Sequence, residues 1–150
     1  MAQVKTTAGV VEAVKVLRPF IGRGEMEAMI EGLRGEERTY FEAIFEQMAA
    51  LVKAMPMTYQ TEGQGDARMV YLHYFSPAGD WYIAEKDIDA DGEGQIQAFG
   101  YARFEAMPDC AEWGYISIAE LLANGVELDL HFAARTVAQF RIQEAKFAAA

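Results

Sequence analysis

Apolar residues in the first third of the chain recur at helical spacing. Val10, Val14, Leu17 and Ile21 fall on one stripe, which Val11 and Phe20 widen. Gly22 and Gly24 break that pattern, and Met26, Met29, Ile30 and Leu33 begin a second short face before "RGEE" (34–37) interrupts it. The third stripe is the longest. Phe41, Ile44, Phe45, Met48, Leu51, Val52 and Met55 step by three or four residues, Glu36 and Glu37 favour the helix start, and Pro56 ends it. From residue 57 the period changes. "MTYQTEGQGDAR" is a polar connector, and "MVYLHYF" (69–75), "DWYIAEKDI" (80–88) and "QIQAFGYARF" (95–104) are aromatic and β-branched runs. The short connections "SPAGD" and "DADGEG" predict antiparallel neighbours.

Two further elements follow. Ser117, with Glu120 three residues on, predicts a capped helix that Gly125 stops. "VELDLHF" (126–132) alternates, with Val126, Leu128, Leu130 and Phe132 on one side and Glu127, Asp129 and His131 on the other. A last helix is expected from Thr136. The expected fold is α+β: an N-terminal layer of about three helices packed on an antiparallel meander sheet, with a final strand and a C-terminal helix. One domain is expected over 1–150, divided into a helical part (1–56), a connector (57–67) and a sheet-bearing part (68–150). A chain of 150 residues can bury a core without staples.

Charge changes the picture. The net charge of −10 divides into −1 over residues 1–60 and −9 over 61–150. Without a basic run, direct nucleic-acid binding is disfavoured. Cys110 is the single cysteine, so no internal disulfide is available. With neither a secretory leader nor a long apolar run expected, the predicted location is the cytoplasm, away from membranes.

The stretch "DIDADGEGQ" (87–95) has the opening spacing of a calcium loop, with Asp87, Asp89 and Asp91 at positions 1, 3 and 5 and Gly92 at 6. It lies between strands rather than helices, and position 12 is Ala98 where a bidentate glutamate is required. Weak Ca²⁺ binding there is disfavoured, no cofactor is expected, and the stretch is read as a hairpin tip. His73, Glu85, Asp129 and His131 are the polar groups on strands that could form a catalytic or ligand site, if they converge. Glu85 lies at the margin of a core-facing strand, where pairing with Arg103 or Arg68 is expected. No nucleophile elbow, phosphate loop or dinucleotide fingerprint occurs.

The blocks "LRPF", "RGEER", "MPMTYQTEGQGD", "YLHYF", "DWYIAEKD", "QAFGYARF", "WGYISIAELL" and "GVELDLHF" are collinear and span residues 17–133. Together they resemble a bacterial domain-of-unknown-function family encoded on conjugative plasmids, integrative elements and phages. Ala84 stands where that family has Thr, and Trp113 where Leu is common. The resemblance implies a genomic setting and assigns no catalytic residue. Together with the charge, it leads to the expectation of a non-enzymatic accessory protein of a mobile element. Such a protein would bind a host or element-encoded protein, such as a defence or nucleic-acid-binding protein, in an anti-restriction or anti-CRISPR role. The binding surface expected is an acidic ribbon of Asp80, Glu85, Asp87, Asp89, Asp91 and Glu93, with self-association left open. The alternative is a small enzyme or ligand-binding domain built on His73, Glu85, Asp129 and His131.

Overall fold

The computed structural model describes residues 8–87 and 94–139. The helical stripes become α1 (Ala8–Leu17), α2 (Arg23–Gly32) and α3 (Arg38–Ala54), with a 3₁₀ turn at Arg18–Phe20. α3 buries Ile44, Phe45, Met48, Ala49 and Val52, the residues that its sequence period places on one face. Its C-terminal end is held by Lys86, whose Nζ donates to the Val52 carbonyl at 2.9 Å. A cation there satisfies an orphan carbonyl and complements the helix dipole.

The sheet-bearing part runs β1 (Met69–Val70), β2 (Leu72–Ser76), β3 (Gly79–Glu85), β4 (Ala98–Phe104), β5 (Met107–Ile116), α4 (Ile118–Ala123), β6 (Glu127–Leu128) and β7 (Arg135–Thr136). Five strands form one antiparallel sheet in the order β5-β4-β3-β2-β6, while β1 and β7 form a separate two-stranded ladder. The architecture is α+β, as the sequence predicts. Residues 137–139 begin a helix, with Thr136 Oγ1 accepting from the Gln139 amide at 3.2 Å and Gln139 Oε1 from the Thr136 amide at 2.9 Å.

Alternation on the strands divides the side chains between two faces. Leu72, Tyr74, Trp81, Ile83, Ala98 and Leu128 join the helices in the main core. Tyr74 is fully buried, and its hydroxyl donates to the Phe20 carbonyl at 2.5 Å, tying the sheet to the end of the first helical segment. The opposite face carries a second cluster of Val70, Ala84 and Phe132, flanked by Tyr82 and Trp113. Gly100 lies opposite Ile83, and a Cβ there would collide with the Tyr82 carbonyl, so β3 and β4 pair as they do only with glycine at that position.

Three sequence expectations change. The run 69–75 is two strands, broken at Tyr71, whose amide donates to Ile83 O at 2.8 Å. The expected strand 126–132 shortens to Glu127–Leu128, and Phe132 leaves the main core for the opposite face, packing 6.0 Å from Tyr82 and 5.7 Å from His73. The longest strand, β5, lies where the sequence shows no strand period. It is one edge of the sheet, β6 being the other, and it pairs with β4 from Ala98↔Ile116 to Phe104↔Met107.

Candidate functional site

His73 on β2 points away from the main core and is held from both sides. Its Nε2 lies 2.7 Å from Asp80 Oδ1 and its Nδ1 lies 3.0 Å from Asp129 Oδ2. Asp80 reaches it because β3 places that residue on the same face, two positions from Tyr82, whose ring stacks on the imidazole at 4.6 Å with a 10° tilt. Asp129 arrives from the turn after β6 and also accepts the His131 amide at 2.9 Å. Carboxylates only accept hydrogen bonds, so two of them around one imidazole are fully satisfied when both ring nitrogens carry protons. The arrangement locks the β2–β3 hairpin to the turn after β6.

The His131 ring is exposed and lies 3.0 Å from the Tyr40 hydroxyl on α3. The histidines therefore share Asp129 through one side chain and one main-chain amide, and their rings have different partners. Glu85 is further off, three residues along β3 from Tyr82, the ladder partner of His73, roughly 10 Å by strand rise, and its carboxylate turns to residues 59 and 61 instead. The four residues of the proposed catalytic alternative are not gathered in one cleft.

Glu85 is 3% exposed and has a different role from the arginine pairing that the sequence suggests. Its Oε1 accepts the Tyr59 amide at 2.8 Å, and its Oε2 accepts the Thr61 amide at 3.0 Å and the Thr61 hydroxyl. The carboxylate thus latches the 57–62 turn onto the sheet, and among the described residues no arginine is its partner. A register shift between Ile83 and Glu85 sets the latter opposite Phe99, on the face away from the main core. Tyr59 adopts a left-handed backbone (φ 75), which puts its amide on Glu85 and its exposed ring outward. Tyr115 donates to the Tyr59 hydroxyl at 2.9 Å, and this bond raises the Tyr115 pKa above 10.0. Arg68, the other expected partner, donates to Thr61 O at 3.2 Å and packs its guanidinium over the rings of Phe99 (5.1 Å) and Trp113 (5.0 Å).

Asp87 is also buried. Its Oδ2 accepts the amides of Ile96 (3.2 Å) and Gln97 (3.0 Å), while its own amide donates to Gln95 Oε1 at 2.7 Å. It clasps the two ends of the connector between β3 and β4. Asp89, Asp91 and Glu93 lie outside the described residues. Of the acidic ribbon, then, Glu85 and Asp87 are spent on internal hydrogen bonds and Asp80 on His73, so these three do not present a free charged edge.

Free acidic surface occurs elsewhere. Residues 104–134 hold six Asp or Glu and no Lys or Arg. Glu105, Asp109, Glu112, Glu120 and Glu127 are exposed, and Asp129 is the one drawn inward. Between β5 and α4 lies a cleft of about 550 Å³ whose lining includes Trp81, Phe104, Glu112, Glu120 and Leu121, with no basic side chain. The Trp81 and Phe104 rings meet edge to face at 5.9 Å. This cleft was not apparent from the sequence, because it needs β5 to be a strand.

One further carboxylate was missed. Glu25 on α2 accepts the Leu128 amide at 2.9 Å. Burial raises its pKa from 4.5 to about 7; the Leu128 hydrogen bond opposes the rise, and the negative charges of Glu127 and Asp129 add to it. Within the described residues no three His, Cys, Asp or Glu side chains cluster as metal ligands, and no helix is long and apolar enough to cross a membrane. Comparison with family models, curated proteins and solved structures returns no match.

Proposed function

We propose that this protein is a non-enzymatic accessory protein of a mobile genetic element. It binds a basic host or element-encoded protein through an acidic surface, in an anti-restriction or anti-CRISPR role. One observation carries the reading: Glu105, Asp109 and Glu112 on and beside β5 and Glu120 on the neighbouring α4 are exposed, in a stretch without a basic residue. Such a surface attracts the lysines and arginines with which nucleic-acid-binding proteins neutralise phosphates, and it repels nucleic acid itself. The block resemblance supports the mobile-element setting. The catalytic alternative has less support, because both His73 nitrogens and both Glu85 oxygens already face protein partners.

The test is affinity capture from a bacterial host lysate, with retained proteins identified by mass and assayed for nucleic-acid binding. The wild-type chain is expected to retain a nucleic-acid-binding protein in about 0.05 M salt and to release most of it near about 0.3 M, as charge screening requires. Its nucleic-acid binding should fall when the acidic chain is added. A variant carrying Glu105→Gln, Asp109→Asn, Glu112→Gln and Glu120→Gln should lose the capture. Capture unaffected by salt and by the four substitutions would overturn the reading.

A further inference from the structure

We infer that β5 is a docking edge for an extended basic segment of the partner, which adds as a sixth strand and seats an arginine or lysine in the cleft beside α4. The inference rests on the proposed function and specifies its mode of recognition.

Three observations converge. First, β5 spans ten residues at the end of the five-stranded sheet, and among the described residues its ladder partner is β4 alone. An edge of that length offers main-chain donors and acceptors to an incoming strand. Second, strand alternation puts Glu112 and Gly114 on the side of the sheet that carries Trp81 and Ala102, so the same strand borders the cleft. The cleft has aromatic and aliphatic walls for a methylene stem, and Glu112 and Glu120 for a cationic head. Apolar body and charged tip together are the chemistry of lysine and arginine. Third, charge selects the occupant. A second copy of β5 laid antiparallel about Cys110 and Ala111 would set Asp109 of each copy against Glu112 of the other, and like charges across a ladder are destabilising. A strand rich in arginine meets the opposite field.

The experiment uses the full chain and two ten-residue synthetic probes of alternating Arg and Val, identical except that alternate residues of the second are N-methylated. Both carry the same charge, but the second cannot complete a strand ladder. Calorimetry should show the plain probe binding at least about tenfold more tightly than the methylated one, since losing several main-chain hydrogen bonds costs more than about 1.4 kcal/mol. NMR amide exchange should slow within residues 107–116 when the plain probe is added. Glu112→Gln with Glu120→Gln should weaken the plain probe about tenfold while leaving the amide spectrum of the unbound protein otherwise unchanged.

Equal binding of the two probes overturns strand addition, and so does protection, before any probe is present, of the β5 amides that point away from β4. In those cases salt-sensitive binding that the four-residue variant abolishes would leave the proposed function standing. Absence of any salt-sensitive binding to either probe would remove both.

Discussion

Glu25 stands out among the helix carboxylates because it titrates near neutrality while its neighbours on α2 face water. Folding raises its pKa from 4.5 to about 7, so the folded chain holds this proton more tightly than the unfolded one. The stabilisation is complete below pH 4.5 and is lost as the pH rises through about 7. The full shift would correspond to about 3 kcal/mol, and solvent screening of a half-buried group reduces that to about 1–2 kcal/mol. Glu25→Gln keeps an acceptor for the Leu128 amide and removes the charge. It should therefore stabilise the fold by about 1–2 kcal/mol at pH 8 and change little at pH 4, read as urea midpoints at the two pH values. Nothing in the sequence marks Glu25, since a polar residue within "RGEMEAMIEG" reads as solvated. Its environment is made by β6, about a hundred residues later. Glu85 is the converse. Its place at a core margin is legible, yet its partners are the main-chain amides of residues 59 and 61 and the Thr61 hydroxyl, none of them a cation that a charge pattern would reveal. His73 and Asp129 were both legible as polar strand residues. The contact between them was not, because it depends on how the turn after β6 folds back.

At the level of elements, what was legible follows how locally each one is stabilised. α3 and the Ser117-capped helix announce themselves by period and cap, and the Ser117 hydroxyl accepts the Glu120 amide at 3.1 Å as expected. β5 does not. "MPDCAEWGYI" contains Pro108, Asp109 and Gly114, poor strand formers, and it pairs because β4 offers a ladder. Edge position tolerates Pro108, and its acids discourage random pairing. The β3–β4 ladder has the opposite dependence on a single residue. Gly100→Ala places a methyl against the Tyr82 carbonyl, and because that atom belongs to the main chain the strands must part. A loss of about 3 kcal/mol is expected in urea denaturation. Exchange should accelerate in β4 and β5 while α1 and α3 keep their protection.

Over the whole molecule, charge works against compaction. The −10 balance concentrates in the sheet-bearing part, and folding brings those carboxylates within each other's field. Raising the salt from about 0.01 M to about 0.15 M shortens the screening length from about 30 Å to about 8 Å. The thermal midpoint should therefore rise by a few degrees, by calorimetry at pH 7.5. The same salt weakens attraction to a basic partner, so stability and binding should respond to ionic strength in opposite directions. The two-stranded ladder has a separate consequence. Met69 and Val70 pair with Thr136 and Arg135, whose codons are read long after theirs. During synthesis the three helices can settle as soon as they emerge. β1 stays without its ladder partner until the ribosome has delivered β7, and a nascent chain stalled before Phe132 would expose the second apolar cluster to chaperones.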